Sequence, residues 1–170
     1  MSYLCSSRPD SKQIQQAADL IDAGGQLAKK LDRNRFEQAC IIVVALDPAL
    51  RVIGVAAVKE RRGDVAEIGY LIVHPDFRRR GIAQELTRRR IEAARELGLR
   101  LLYTNVRRDN DESIGNLHKA EFLFWGDFVS AHDTGHVISW FFYPLTTKVD
   151  GPAQMERLTR RLKRSPAKES

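Results

Sequence analysis

The chain has little of what builds the common metal, nucleophile and membrane sites. Of its 170 residues two are cysteine, Cys5 and Cys40, with no Cys-x-x-Cys spacing and no histidine companions. That excludes a disulfide framework and implies no metal. Cys40 is expected to be a small core residue at the start of a strand. His74, His118, His132 and His136 show no ligand spacing either. No apolar run approaches the roughly 20 residues needed to cross a bilayer, and no charged segment followed by an apolar one opens the chain. A soluble, unexported, cytoplasmic protein is the expectation. There is no Gly-x-Ser-x-Gly elbow, no Gly-Lys-Ser/Thr phosphate loop ending and no triple-glycine dinucleotide fingerprint.

Charge is more abundant. The net charge is +6, but seven Lys and Arg against three Asp and Glu between Thr146 and Ser170 supply +4 of it. The body is close to neutral and has no basic stripe interleaved with aromatics, so a nucleic-acid partner is disfavoured. With 43% hydrophobic residues, residues 1–145 are expected to form one domain. Residues 146–170 then make a basic tail, with an amphipathic helix from Gln154 to Leu162.

Asp10 or Ser11 can cap a first helix that places Ile14, Ala17, Ala18 and Ile21 on one face and stops at Gly24-Gly25. A short helix from Gln26 to Leu31 follows. Ala39–Leu46, Val52–Val58 and Val65–Val73 read as strands, joined by Asp47-Pro48 and Arg62-Gly63-Asp64 turns into an antiparallel meander. A helix from Gly81 to Gly98 then leads to a strand, Arg100–Val106, that a crossover makes parallel to its neighbour. Asn110–Phe122 is a capped short helix running into a strand. Leu123–Val129 and Val137–Tyr143 form a closing pair. Arg90 falls near the centre of the apolar stripe of its helix, where it must either snorkel or meet an acidic partner.

The most informative stretch is AEIGYLIVHPDFRRRGIAQELTRRR, Ala66–Arg90. A buried strand ends at Val73, His74-Pro75 breaks it, and a basic loop opens a helix at Gly81. First-turn amides lack partners within a helix, and the helix dipole favours negative charge beside them. Arg78, Arg79 and Arg80 add positive charge, Gly81 lets backbone approach a ligand, Ile82 offers a first-turn amide, and small Ala83 leaves the next one uncovered. Together these residues suit a pyrophosphate.

The stretch resembles motif A of the GCN5-related N-acetyltransferase (GNAT) superfamily, whose Arg/Gln-x-x-Gly-x-Gly/Ala loop binds the pyrophosphate of acetyl-CoA; the match runs from Arg78 to Ala83. The segment around Asn110, Ser113, Asn116, Lys119 and Phe122 resembles motif B, where Asn110, Ser113 and Asn116 approach the cofactor arm. Two positions depart from that pattern. Glu121 replaces the usual glycine, and Leu117 stands where many members place the tyrosine that protonates the departing thiolate. The resemblance implies an α/β (α+β) GNAT-like fold with a mixed, mostly antiparallel central sheet flanked by helices. A splayed parallel strand pair would form the cofactor cleft, with backbone contacts from Leu71, Ile72 and Val73. It also implies an acetyl-CoA-dependent N-acetyltransferase acting on a primary amine of a small molecule or protein. A non-catalytic acyl-CoA-binding or interaction module is the alternative. Acceptor choice would lie partly in the N-terminal helices, near Phe36. Pairing through the C-terminal strands is common in the family, so VISWFFY (Val137–Tyr143) would serve a homodimer interface or the core.

Acetyl transfer from a thioester needs a neutral amine, a donor to the carbonyl oxygen and a proton for sulfur. A backbone N–H near Val73 suits the second role. For the base, Glu67 stands on the motif A strand at the spacing kept by the histone-acetyltransferase branch, between apolar Val65 and Ile68. Alternatively it faces solvent or pairs with Arg51 or Arg61. Tyr70 alternates to the opposite face unless a bulge intervenes, while Tyr103 and Tyr143 read as core aromatics.

Overall fold

The computed structural model describes residues 2–24, 30–130 and 135–165. The chain divides into two compact units, residues 1–99 and 100–170, both of α/β character. The predicted helix Gln26–Leu31 lies largely outside the described residues, as do Gly25 and His132.

In the first unit, β1 (Leu4–Ser6), β2 (Ile41–Leu46), β3 (Val52–Arg62) and β4 (Val65–Val73) form a sheet in that spatial order, antiparallel at every step. β1 has only three residues and escaped sequence reading. The β-branched runs IIVVAL and VIGVAAV are buried almost throughout, because helices cover both faces of the sheet. α1 (Ser11–Ala23) and α2 (Arg33–Glu37) pack on one face, where Ala17, Ala18, Ile21 and Phe36 meet Ile42, Val44, Val55, Ala57 and Ile72. α3 (Ile82–Glu96) takes the other, and its Ile82 and Leu86 crowd the place a side chain would occupy on Gly54. Asp10 caps α1 in a reciprocal box, its side chain accepting from Gln13 N at 2.8 Å while Gln13 Oε1 accepts from Asp10 N at 3.1 Å. Cys40 is exposed just outside β2, so it is not the core residue expected. The strand begins one residue later, and the apolar work falls to Ile41 and Ile42.

The β3–β4 ladder slips twice. Val55 pairs with Ile72 and Ala57 with Gly69, so Tyr70 and Leu71 together face the single residue Ala56. Tyr70 accommodates the extra residue in the left-handed region at φ 54°, an unusual backbone for an aromatic residue. A second slip lies between Val58 and Glu60.

In the second unit, β5 (Leu101–Arg107), β7 (Val137–Pro144) and β6 (Leu123–Val129) form an antiparallel sheet with β7 in the middle. Within the run VISWFFY, Phe141 and Phe142 are buried, 1% and 5% exposed, while Val137, Ile138, Trp140 and Tyr143 are half-buried. Asn110 caps α4 (Asp111–Lys119), as its place before the helix suggested. The described part of the tail packs onto the second unit. α5 (Gly151–Thr159) starts three residues earlier than its apolar pattern indicated, behind an Asp150 cap. Its Met155 is fully buried, and Thr159 Oγ1 accepts from Trp125 Nε1 at 3.0 Å. Beyond it, Val129 N donates to Lys163 O and Ser165 N to Asp127 O, each at 2.8 Å, laying 163–165 against β6. Arg164 is held there over the rings of Trp125 and Phe128, at 5.6 and 5.5 Å.

Removing the α1 cap tests how far the first unit depends on it. Asp10→Ala should cost about 1 kcal/mol and lower the melting temperature by roughly 3 °C in thermal unfolding.

Candidate active site

The loop after β4 is built by local constraints. His74 N donates to Ile53 O at 2.9 Å, tying the strand end to β3, and Pro75–Phe77 make one 3₁₀ turn. Arg78 Nε donates to Val73 O at 3.2 Å, and Arg80 Nη2 to Asp76 O at 3.1 Å with its guanidinium 5.4 Å from the Phe77 ring centre. The backbone alternates into the left-handed region at Arg79 (φ 59°) and Gly81 (φ 77°), a conformation that turns successive amides toward one side. Gly81 is the N-cap of α3 and provides no side-chain cap. A Cβ built on it meets nothing within 4 Å, so the space over the first turn is open. Ile82 is buried and anchors the turn, while Ala83 is half-buried and small. Of the other predicted contacts, Leu71 belongs to the β4 bulge, and Ile72 and Val73 bury their side chains and offer only backbone. The first unit thus brings Leu71–Val73 and Arg78–Ala83 together on one strand–loop–helix unit.

Asn110, Ser113 and Asn116 belong to the second unit. The Asn110 side chain accepts from Ser113 N at 3.0 Å, and Asn116 is half-buried on α4. Leu117 is 4% exposed and packs as core. Tyr103 is 4% exposed and stacks on Trp140, as expected of a core residue, whereas Tyr143 is half-buried beside Phe122.

Glu67 is paired with neither Arg51, which bonds Asp47 at 2.6 Å, nor Arg61, which donates to Gly63 O. Its partner is Lys59, whose Nζ lies 2.6 Å from Glu67 Oε1. The second ladder slip explains the choice, because it swings Lys59 across the strand. Gly69 makes the room: a Cβ there would stand 2.4 Å from Lys59 Cδ. Lys59 Nζ also lies 5.5 Å from the Tyr70 ring centre, and Phe36 meets Tyr70 edge-on at 5.4 Å. Simple alternation put Glu67 and Tyr70 on opposite faces; the bulge gives them one shared neighbour.

Arg90 neither snorkels nor finds an acid. It is 2% exposed, its Nε has no partner, and its hydrogen bonds are long ones to Gly69 O and Thr87 Oγ1, each 3.4 Å. Burial pushes the guanidinium down to about 9.

The profile of the Acetyltransferase (GNAT) family matches residues 8–122. This chain belongs to the GNAT acetyltransferase family. No curated protein matches it significantly. Solved structures share its fold. The NatC complex bound to Gag peptide and CoA contains a chain 17% identical, covering 86% of this chain and 100% of that one at a TM-score of 0.74. The putative acetyltransferase yncA from Salmonella typhimurium with its cofactor acetyl-CoA is 16% identical, covering 88% and 97% at 0.73. The ribosomal-protein-S18-alanine N-acetyltransferase from Escherichia coli is 15% identical, covering 88% and 98% at 0.70. The Arg78–Ala83 loop lies within the span matched to the GNAT family. Among the described residues no helix is long and apolar enough to cross a membrane.

An uncompensated cation in the core opposes folding. Arg90→Met should raise the melting temperature by on the order of 5 °C. The native guanidinium value lies below the ordinary one, so the penalty is complete below about pH 9 and fades as pH rises through that value. Thermal melts of both proteins should show the gap constant at neutral pH and narrowing above about 9.

Proposed function

We propose that this GNAT protein is an acetyl-CoA-dependent N-acetyltransferase acting on a primary amine. The observation that carries the reading is the open first turn of α3, where left-handed Arg79 and Gly81 leave unobstructed space beside three arginines. The residues fit the group: the amides following Gly81 and the cations of Arg78–Arg80 would hold a pyrophosphate, and backbone of Leu71–Val73 would line its arm. Acetyl-CoA, when bound, supplies an acetyl group activated as a thioester.

The chain's own part in the chemistry begins at Glu67. As a carboxylate it accepts the proton of an ammonium, directly or through one water, and so keeps the acceptor nitrogen nucleophilic. Lys59 holds that carboxylate 2.6 Å from its ammonium and must yield to an incoming amine. Backbone N–H near Val73 orients the carbonyl to be attacked. Half-buried Tyr70, with fully buried Phe36 edge-on behind it, offers an aromatic ring on the same sheet face, where an acceptor's apolar portion would rest.

Two observations favour the alternative, an acyl-CoA-binding module without turnover: Glu67 is already neutralised by Lys59, and Leu117 cannot donate a proton. Two variants separate the readings. Gly81→Glu puts a carboxylate and bulk into the cradle and should weaken acetyl-CoA binding at least about 100-fold by calorimetry. Unchanged affinity would remove the pyrophosphate assignment. Glu67→Gln should leave binding intact and lower kcat about 100-fold or more against a panel of primary amines. If wild type binds acetyl-CoA but acetylates none of them, the binding-module reading takes precedence.

A further inference from the structure

Arg90 is maintained at a cost to the fold, and no carboxylate among the described residues compensates it. Its hydrogen bond reaches β4 where the ladder slips, at the carbonyl of Gly69, the last paired residue before Tyr70 and Leu71. The Gly69–Tyr70 peptide is planar and trans, so its N–H points opposite to the oxygen that Arg90 holds. α3 descends alongside β4 in the reverse direction. Ile82 and Leu86 meet Gly54, which pairs with Val73, whereas Arg90 reaches Gly69. Nine residues of helix separate Gly81 from Arg90, about 13 Å at the α-helical rise, so Arg90 is too far along to hold the phosphates. A ligand arm that leaves the loop and follows Val73, Ile72 and Leu71 arrives at the level of Arg90 with its opposite end.

We infer that Arg90 stabilises the thiolate of coenzyme A as it departs beside the β4 bulge. This rests on the acetyl-CoA reading above. In the transfer, the acceptor nitrogen forms the C–N bond, the C–S bond breaks with its electron pair on sulfur, and the acceptor's proton goes to Glu67. Sulfur is left negative. With Leu117 where the family commonly has a proton-donating tyrosine, a buried guanidinium that keeps its charge offsets the new one by its field across the Gly69–Tyr70 peptide. Lys59 and Glu67 close on each other, and Glu85 takes Arg88 and Arg89. The Cys5 thiol on β1 is pushed up to about 11 by burial and is neutral at physiological pH.

The test is the thiol of bound CoA, followed by thiolate ultraviolet absorbance during a pH titration of the full chain, with the desulfo-CoA complex as blank. In wild type the bound thiol should titrate about one pH unit or more below its value on Arg90→Met, a tenfold larger thiolate fraction. Arg90→Lys should fall between. Equal thiol titrations on wild type and Arg90→Met, both binding CoA, would overturn the inference and leave the acetyl-CoA reading standing. Failure of wild type to bind CoA would instead overturn that reading, and the inference with it.

Discussion

Everything in the first unit hangs on β3. It pairs with β2 and β4, takes α1 and α2 on one face and α3 on the other, and buries six successive residues, Ile53–Val58. A strand packed by helices on both faces cannot shift register by one residue without exchanging the side chains that meet each helix layer, so its irregularities stay local. The two slips against β4, one setting Tyr70 and Leu71 against Ala56 and the other leaving Lys59 of β3 as the extra residue, coincide with the residues of chemical interest. The first loosens Tyr70 and Leu71 from the ladder; the second brings Lys59 onto Glu67.

The motif A loop shows a similar division between anchor and opening. Val73, Ile53 and Ile82 are fixed by burial and hydrogen bonds, while Arg79 and Gly81 take the left-handed conformations that expose amides. At Gly81 this is free of steric penalty; at Arg79 it is held by its neighbours, with Arg78 bonded to Val73 O and Arg80 to Asp76 O.

Strong local signals were readable in advance. The apolar runs of β2, β3 and β4, the Asp10 and Asn110 caps, the helix after Gly81 and the closing strands all follow from period, turn chemistry and caps acting within a few residues. The motif A loop was readable because its structural context, strand then loop then helix, is itself local. What escaped depends on contacts distant in sequence. β1 is too short to show a period. Cys40 was placed inside by hydrophobicity, but the strand starts beyond it. The partner of Glu67 depends on a bulge and on the empty place at Gly69, and neither leaves a pattern in β3 or β4. Arg90 was visible as an anomaly; its isolation from every described carboxylate was not.

The segment 163–165 has a consequence of another kind. An open β-sheet margin presents unpaired amides and carbonyls to any extended chain that drifts by. Here β6 is that margin, with Leu123 and Phe124 half-exposed on it. The stretch at 163–165 occupies the half around Asp127–Val129, locked by Arg164 against two aromatic rings. The positive charge of this stretch thus works as a gatekeeper, setting cationic side chains along an edge that would otherwise invite self-association.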